Sequence, residues 1–542
     1  MNFSNRNRKN FIECLSTQHF DLLVIGGGIT GCGIALDAAL RGMKVALIEK
    51  NDFASGTSSR STKLIHGGLR YLKQLEVKLV HDVGSERAVV HRNARHVVIP
   101  EKMLLPILQD GSLGKQSSSL GLWVYDLLAG VKKHERRKML DKHQTLKTEP
   151  LLTDNGLIGG GLYFEYRTDD SRLTIEIAKS ASANNATLLN YVESKNFVYD
   201  KSKKITGVKA YDKISDTEFT IQSSVVVNAC GPWVDLLRKK DNSLTGKRLQ
   251  LTKGVHIVFP YEKLPLKQAA YFDVGDGRMI FAIPRSGITY VGTTDTVYNQ
   301  SIDNPQCNKE DVQYLLKATN QIFPTVNLKA EDIVSSWAGL RPLIYEEGKS
   351  ASELSRKDEI MVSPSGLVSI AGGKLTGYRL MAAKVVDLVS KTLKKDFGKC
   401  KTKTYRLCGG EFDNETEFEL ALEKLFFKGT AENIPAEKIS DWFYRYGKNT
   451  EIIVNKVKEL RSKIHGKENL FYAAELWYGI NHEMVLTLSD FLVRRTGRIF
   501  FDREASEKQI DYLQSILSEQ LPQIDSLQNI VKDDYNLAVS FT

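Results

Sequence analysis

The stretch DLLVIGGGITGCGIALDAALRGMKVALIEK, residues 21–50, predicts the fold of the chain around it. The apolar run Leu22–Ile25 predicts a short buried strand, and the residues after Gly31 carry apolar side chains at helical spacing. A second apolar run, Val45–Ile48, ends at Glu49. The stretch therefore predicts a complete strand–helix–strand unit.

The glycines between the first strand and the helix indicate dinucleotide binding. Gly26, Gly28 and Gly31 have the G-x-G-x-x-G spacing, which turns the backbone tightly and lets it approach a pyrophosphate at the helix N-terminus. Glu49 stands where the fingerprint places an acceptor for ribose hydroxyls, about 20 residues after the glycines. This context favours a dinucleotide site over a purely structural turn, and by itself it fits FAD and NAD equally.

Length and composition set the broad class of protein. A chain of 542 residues suggests two or three domains, at about 150 residues each. The formal net charge of +10 suits an anionic partner, such as nucleic acid, a lipid surface or a phosphorylated metabolite. The cysteines are scattered without metal-ligand spacing, which favours reduced thiols in the cytosol and no metal site.

Two segments bear on membrane contact. Residues 1–20 lack the apolar core of a secretory signal, and we expect a polar tail there. Leu120–Val131 is apolar and aromatic, and a cationic cluster follows it: Lys132, Lys133, Arg136, Arg137 and Lys138. This pair of features fits a core helix that leads into a charged turn, and it also fits a segment lying in a membrane interface. No apolar run reaches the ~20 residues that span a bilayer.

The loop at residues 56–72, GTSSRSTKLIHGGLRYL, has too many polar groups for a simple connector. Hydroxyls and the cations Arg60 and Lys63 supply hydrogen-bond donors, and apolar residues such as Leu64 and Ile65 anchor the segment between them. Gly67 and Gly68 allow backbone to come close to a flat ring. We therefore expect this loop to line a cofactor.

The motif SSRSTKLIHGGLRYL at 58–72, following GGGITGCG at 26–33, resembles the FAD-dependent glycerol-3-phosphate dehydrogenases, including the related α-glycerophosphate oxidases. Later motifs continue the resemblance in order: VVNACGPWVD at 226–235, KGVHIVFP at 253–260, GTTD at 292–295, AGLRPL at 338–343 and AGGKLTGYR at 371–379. The resemblance extends from about Asp21 to Leu388. From Val389 onward only a general helical character is recognisable.

The resemblance and the glycine turns together predict an α/β fold with three parts. A discontinuous Rossmann-like FAD-binding domain is expected at 21–110, 162–250 and 345–398. A substrate lobe with a mixed β-sheet is expected at 111–161 and 251–344, because stretches such as Gly254–Phe259 alternate apolar and polar residues. The helical spacing of Ile453, Val457 and Leu460, and of later apolar residues, predicts a C-terminal helical domain at 399–542. Within it, Leu470–Phe500 is interpreted chiefly as a core helix with a basic end, with a dimer surface or a lipid-facing patch as alternatives.

The resemblance implies that FAD is the dinucleotide and that its contacts come from several separate segments. These expected contacts are Gly26, Gly28, Ile29, Thr30, Gly31, Glu49, Lys50, Thr57, Ser58, Ser59, Ser61, Thr62, Lys63, Leu64, His66, Gly67, Gly68, Val192, Ala229, Gly231, Trp233, Gly372, Gly373, Lys374, Leu375 and Thr376.

For the substrate, the resemblance implies a phosphate pocket built from cations. Arg70, Arg341 and Lys374 all lie close after glycines, and Arg356 matches a further family arginine. Arginine forks match phosphate oxygens and lysine supplies a point charge. Tyr71 and Thr294 are the other expected substrate contacts.

The implied reaction is oxidation of sn-glycerol 3-phosphate to dihydroxyacetone phosphate, with hydride transfer to FAD. His66 and His256 are the candidate bases, and Arg341 and Lys374 are expected to act at the reacting centre. The expected electron acceptor is a membrane quinone, reached by peripheral attachment at the cytoplasmic face, and a homodimer is compatible with this interpretation.

Three alternatives remain open at the sequence level. The first is an α-glycerophosphate oxidase that passes electrons to O2 and releases H2O2. The second is a flavin-dependent amine or amino-acid oxidase, whose carboxylate substrate takes fewer cations. The third is a nucleic-acid-binding flavoprotein, but its cations should form a continuous stripe with stacking aromatic residues. We expect no nucleic-acid partner.

Overall fold

The computed structural model describes residues 3–66, 77–109, 111, 136–345 and 358–521, with the backbone alone for 77–82. These residues form eighteen strands: β1 (His19–Ile25), β2 (Val45–Ile48), β3 (Leu64–Ile65), β4 (Val98–Leu108), β5 (Lys138–Leu140), β6 (Leu157–Thr168), β7 (Thr187–Leu189), β8 (Val192–Tyr199), β9 (Ile205–Asp212), β10 (Thr217–Asn228), β11 (Leu249–Pro260), β12 (Ala269–Asp273), β13 (Met279–Arg285), β14 (Ile288–Gly292), β15 (Thr296–Val297), β16 (Ser335–Ile344), β17 (Asp358–Val362) and β18 (Val368–Gly372).

Helices connect and follow the strands. Those in the described part of the chain are α1 (Arg8–Thr17), α2 (Ile29–Leu40), α3 (Val77–Asn93), α4 (Lys142–Thr148), α5 (Asp170–Ala183), α6 (Val234–Lys240), α7 (Lys309–Ile322), α8 (Tyr378–Leu393), α9 (Glu415–Ala431), α10 (Ala436–Tyr446), α11 (Thr450–Leu460), α12 (Lys467–His482), α13 (Arg498–Phe501), α14 (Arg503–Glu507) and α15 (Ile510–Gln520).

The first sheet contains the strand–helix–strand unit that the sequence predicts. Its strand order is β17-β18-β10-β1-β2-β7, and the neighbours from β18 to β7 run parallel. The hairpin of β8 and β9 extends it by pairing with β10. β1 pairs with β2 and β10 in a register that places Val24 beside Leu47 and Val227, all fully buried. Parallel strands covered on both faces need such continuous apolar runs.

The second sheet forms the lobe that faces the glycine turn after β1, where FAD is expected to bind. Its strand order is β15-β11-β14-β13-β12-β4-β6-β3, with β16 added on β11 and β5 on β6. The pairs are antiparallel except β12 with β4, so the predicted mixed sheet is confirmed. β11 and β16 pair along ten residues and bring His256 opposite Trp337. This long pairing sets the position of the side chains that reach the candidate site.

The C-terminal helices pack against the second sheet and pair with Asp52 of the first-sheet domain. Tyr472, Leu476 and Phe491 share one apolar cluster with Tyr290 and Trp337 of the second sheet. The basic residues of this region are buried in ion pairs: Arg494 and Arg495 contact Asp52, and Arg498 contacts Glu475. Most of Leu470–Phe500 is therefore buried as expected, but it forms α12, a short π-helix at Asp490–Arg495 and α13 in place of one core helix. The helical spacing in α11 and α15 is confirmed.

Two boundaries expected from sequence are wrong. Residues 3–20 are not a polar tail: they include α1 and the first two residues of β1, and Phe11 and Leu15 are buried. Arg8 pairs with Asp212, which is buried. Because the two residues are far apart in the sequence, the local pattern around Arg8 could not predict this pair. The substrate lobe also takes β3, β4 and all of β6, so it includes residues 64–65, 98–108 and 162–168 that were expected in the FAD-binding domain.

Several expectations fall outside the described residues. They concern the apolar segment Leu120–Val131 and the cations Lys132 and Lys133 beside it. In the residues that are described, no helix is long and apolar enough to cross a membrane. All six cysteines are described, and each carries a free thiol: Cys14, Cys32, Cys230, Cys307, Cys400 and Cys408.

Candidate active site

A deep cavity lies where the carboxyl ends of the parallel strands meet the second sheet. One wall comes from the turn after β1, the loop at 55–66, the segment after β10 and the turn after β18. The other wall comes from the second sheet, through Gly254, His256, Arg341 and the turn at 293–295. Ligands of open α/β sheets bind outside the carboxyl ends of the strands, so this cavity is the candidate active site.

Most of the predicted site residues line this cavity. They are Gly26, Gly28, Ile29, Thr30, Glu49, Lys50, Thr57, Ser58, Ser61, Thr62, Leu64, His66, Val192, Ala229, Gly231, Trp233, His256, Thr294, Arg341, Gly372, Gly373, Lys374, Leu375 and Thr376. Gly31, Ser59 and Lys63 are described but lie behind its wall. Gly67, Gly68, Arg70, Tyr71 and Arg356 lie outside the described residues.

The first glycine turn brings bare backbone to the cavity. Gly26 has φ of 114°, and a Cβ there would lie 2.6 Å from the carbonyl oxygen of Ala229. Gly31 has the packing role of the third glycine, because a Cβ there would overlap the carbonyl oxygen of Gly26. The N–H of Ile29 donates to Ser58 Oγ at 3.0 Å. The N-terminus of α2 therefore reaches the cavity through bare glycine backbone, with Ser58 Oγ on one of its N–H groups, and it fits a pyrophosphate site.

Glu49 lies at the end of β2, beside the glycine turn. Its carboxylate accepts from the N–H groups of Gly27 at 2.7 Å and Asn51 at 2.9 Å. Burial raises the pKa of this carboxyl, and the two backbone donors oppose the rise. Each carboxylate oxygen can accept more than one hydrogen bond, so Glu49 fits the predicted acceptor for ribose hydroxyls.

Two of the predicted residues behind the wall, Ser59 and Lys63, hold the 57–66 loop in place. Lys63 is 1% exposed, and its Nζ donates to Asp170 Oδ1 at 2.6 Å and to the carbonyl of Ser59 at 3.1 Å. The N–H of Ser61 donates to the other oxygen of Asp170 at 2.9 Å. Lys63 and Ser59 therefore support this loop from behind the cavity wall. Their position in the family motif does not predict that role.

The second glycine turn closes the cavity from the side of β18. Gly372 and Gly373 have φ of 74° and 79°, a region that favours glycine. Lys374 follows them and lines the cavity, and a short 3-10 helix then begins at Leu375. Two glycine turns from distant parts of the chain therefore bring backbone to the same cavity.

Arg341 is the central cation of the second-sheet wall. Its Nη1 donates to the carbonyl of Thr294 and to Asp295 Oδ1, both at 3.2 Å, and its Nη2 donates to Thr293 Oγ1 at 2.9 Å. The hydroxyl of Thr294 accepts from the N–H of Val255 at 3.0 Å. Thr294 therefore serves to hold this turn on β11, although it was expected to contact substrate.

His256 is the more enclosed of the two candidate bases. It is 1% exposed, stacks on Trp337 at 4.8 Å, and shares a 3.1 Å hydrogen bond between Nε2 and Thr62 Oγ1. Its Nδ1 is buried and makes no hydrogen bond with the described residues. Burial, together with the nearby charges of Arg341 and Lys63, holds the pKa of His256 well below its usual range. The imidazole is therefore neutral at pH 7.

Acidification is expected to destabilise the fold through its buried histidines. Burial also lowers the pKa of His96, with Arg172 and Lys179 adding to the effect. Unfolded histidine titrates near pH ~6.5, so below that pH the unfolded chain binds more protons than the native chain. The free energy of unfolding should then fall by up to about 1.4 kcal/mol per histidine per pH unit.

Urea unfolding at several pH values between about 7.5 and 5.5 measures this effect. His96→Asn should flatten the dependence, while His143→Asn on the exposed face of α4 should leave it unchanged. A slope that is the same in wild type and His96→Asn would contradict the assignment.

Sequence reasoning missed several residues that line the cavity. Tyr271, Arg278, Met279 and Phe281 come from β12, β13 and the loop between them. Tyr271 and Phe281 stack at 4.2 Å, and the edge of His66 approaches Phe281 at 5.9 Å between ring centres. Apolar and polar residues alternate in their segment as in any half-buried strand. Only the pairing of β12 and β13 in the folded protein shows that these residues reach the cavity. Asp295 is the last residue of the GTTD motif at 292–295 and could have been found.

The cavity suits an extended dinucleotide. Two glycine turns, the N-terminus of α2 and the carboxylate of Glu49 provide the groups that pyrophosphate and ribose need. A Cβ at Gly26 would meet the Ala229 carbonyl, and one at Gly28 would lie 3.2 Å from Ser58 Oγ. The residues present therefore fit FAD.

Comparisons with known proteins agree with this geometry. Residues 21–380 match the family model described as FAD dependent oxidoreductase, and residues 400–525 match the C-terminal domain of alpha-glycerophosphate oxidase. The aerobic glycerol-3-phosphate dehydrogenase of Bacillus subtilis (strain 168) is 52% identical, over 92% of this chain and 91% of that protein. The enzyme of the same name from Staphylococcus haemolyticus (strain JCSC1435) is 48% identical, over 99% and 98%.

A solved structure extends the comparison to the whole fold. The crystal structure of the glycerol-3-phosphate dehydrogenase from Bacillus halodurans complexed with FAD is 43% identical and superposes with a TM-score of 0.86. The alignment covers 99% of both chains. The chain therefore belongs to the FAD-dependent glycerol-3-phosphate dehydrogenase family, as its sequence motifs predicted.

Proposed function

We propose that this chain oxidises sn-glycerol 3-phosphate to dihydroxyacetone phosphate with FAD as its cofactor. The observation that carries the proposal is one cavity whose lining combines groups that fit a dinucleotide with cations that fit a phosphate. Gly26, Gly28 and Glu49 line its dinucleotide cradle, and Arg341 and Lys374 line it with cations. The names of the relatives, all aerobic glycerol-3-phosphate dehydrogenases, support the same substrate.

Arg341 and Lys374 bind the substrate phosphate in this proposal. The guanidinium of Arg341 is held by the turn at 293–295, so its planar fork keeps one orientation in the cavity. Such a fork matches phosphate oxygens through charge-assisted hydrogen bonds, and the ammonium of Lys374 adds a point charge. A substrate without phosphate would make neither of these contacts.

His256 accepts the proton of the substrate hydroxyl. With the N–H on the buried Nδ1, Nε2 accepts the proton through the hydroxyl of Thr62, which lines the cavity and lies 3.1 Å from Nε2. Burial keeps the imidazole neutral and able to accept it, and Arg341 nearby stabilises negative charge on the hydroxyl oxygen. When bound, FAD supplies the acceptor for the hydride. His66, which also lines the cavity, is the second candidate for this role.

The electrons pass from the reduced cofactor to a membrane quinone, with the protein attached peripherally at the cytoplasmic face. The relatives at about half identity carry the name dehydrogenase, which supports an acceptor other than oxygen. Transfer to O2 with release of H2O2 is the second candidate, because the C-terminal model is named for an α-glycerophosphate oxidase.

Steady-state assays of the FAD-loaded protein test substrate and acceptor together. We expect glycerol 3-phosphate to be oxidised with a soluble quinone, and glycerol, glycine and proline to be inert. Little H2O2 should form in air. Rapid H2O2 release with no gain from quinone would establish the oxidase instead, and turnover of glycine or proline would make the chain an amino-acid oxidase. Co-sedimentation with anionic vesicles tests peripheral attachment separately.

A further inference from the structure

Asp295 and Gly254 lie on either side of the Arg341 guanidinium, and neither is among the expected site residues. We propose that these two residues are positioning residues, which fix the guanidinium of Arg341 in the orientation that binds the substrate phosphate. The inference rests on the proposed function and adds the determinants of substrate affinity to it.

The first support is that one short turn accepts three hydrogen bonds from the guanidinium. Thr293 Oγ1, the carbonyl of Thr294 and Asp295 Oδ1 are consecutive acceptors directly after β14. Asp295 is the charged member, with a side chain 10% exposed beside an Arg341 side chain 20% exposed. A carboxylate shielded from water holds a guanidinium more firmly than a neutral acceptor does.

The second support is the space over Gly254. This residue lies on β11, two positions from Thr252, which pairs directly with Arg341 across the strands. A Cβ on Gly254 would overlap Nη2 of Arg341 and would lie 2.6 Å from Thr293 Oγ1. The guanidinium therefore rests on bare backbone, and any other residue at 254 would displace it from the turn.

The third support is that the turn itself is anchored beside Gly254. Thr294 Oγ1 accepts from the N–H of Val255 at 3.0 Å and donates to the carbonyl of Lys253 at 3.3 Å. These two backbone groups flank Gly254 on β11. Gly254 and the three acceptors of the 293–295 turn are thus held in one rigid arrangement around the guanidinium. This arrangement reduces the conformational entropy lost when phosphate binds.

The test uses the FAD-loaded variants Asp295→Ala, Asp295→Asn and Gly254→Ala, with Asp332→Ala as a matched control. Asp332 is in the same lobe, with a side chain 12% exposed that pairs with Lys263, and it does not line the cavity. The first readout is the KM for glycerol 3-phosphate against kcat. The second is the inhibition constant of inorganic phosphate, which reports on the phosphate site alone.

We expect Asp295→Ala and Gly254→Ala to raise KM and the phosphate inhibition constant together by roughly 10- to 100-fold, the size expected for a lost charged hydrogen bond. FAD content should stay at the wild-type level, and KM should change more than kcat. Asp295→Asn should recover part of the loss because its amide oxygen still accepts. In an Arg341→Ala background, Asp295→Ala should have no further effect.

The inference is overturned if Asp295→Ala keeps the wild-type KM and phosphate inhibition, or if its effect persists without Arg341. A loss of FAD with unchanged KM in the remaining holoenzyme would also overturn it, since that result describes a structural role. If the wild type does not oxidise glycerol 3-phosphate at all, the proposed function fails instead. Phosphate binding, followed by the change in flavin absorbance, then still tests the positioning of Arg341.

Discussion

Replacing Arg341 with alanine is expected to lower kcat/KM for glycerol 3-phosphate by about 10³-fold or more, while the protein keeps its FAD. The guanidinium lines the cavity, is fixed by the turn at 293–295, and lies close enough to His256 to lower the pKa of that imidazole. Its removal takes away both a phosphate contact and a stabilising charge beside the reacting hydroxyl. Steady-state kinetics on flavin-loaded protein measure the loss.

Two further variants make the Arg341 experiment specific. Arg341→Lys keeps the charge without the planar fork and should give an intermediate loss. Arg248→Ala removes a cation of the same lobe that stacks on Tyr345 and does not line the cavity, so it should retain wild-type kinetics. A kcat/KM for Arg341→Ala within tenfold of wild type would contradict the role of Arg341.

Replacing Asp52 with alanine is expected to cost about 3–5 kcal/mol in the free energy of unfolding. Asp52 is fully buried and accepts from Arg494 Nε at 2.7 Å and from both Nη groups of Arg495, at 2.7 and 2.8 Å. Without it, two buried guanidinium groups lose the carboxylate that links the C-terminal helices to the FAD-binding domain. Urea unfolding followed by circular dichroism measures the change.

The sign of the pH dependence supports this experiment. Burial alone would raise the pKa of Asp52, but Arg495 and Arg494 overcome it and hold the pKa at about 2. Its contribution is therefore complete above the unfolded value of about 3.9 and is lost as pH falls toward 2. Glu504→Gln breaks an exposed pair with Lys508 and should leave the free energy of unfolding nearly unchanged. Equal effects of the two substitutions would refute the role of Asp52.

The cofactor cradle could be predicted because its signals are local. Strand β2 begins and ends where the apolar run Val45–Ile48 predicts, and the glycine spacing places α2 directly after β1. Backbone approach at Gly26 and Gly28 depends on the absence of a side chain, which a sequence states directly. The family motifs then pointed to Arg341, Lys374 and His256, all of which line the cavity.

Other features depend on partners far away in sequence. Nothing local to Arg8 indicates that it pairs with Asp212, so α1 could not be distinguished from a polar tail. Arg494 and Arg495 have the composition of a basic surface, and only their pairing with Asp52 makes them core residues. The chain crosses between the two sheets several times, and composition does not change at these crossings. The lobe boundaries were therefore misplaced at β3, β4 and β6.

The most direct test of the central claim is the anaerobic absorbance of the purified yellow holoenzyme on addition of glycerol 3-phosphate. The account predicts rapid bleaching of the flavin band in wild type and much slower bleaching in Arg341→Ala at the same FAD content. Bleaching should be reversed quickly by a soluble quinone and slowly by air. A flavin that glycerol 3-phosphate leaves oxidised would contradict the account.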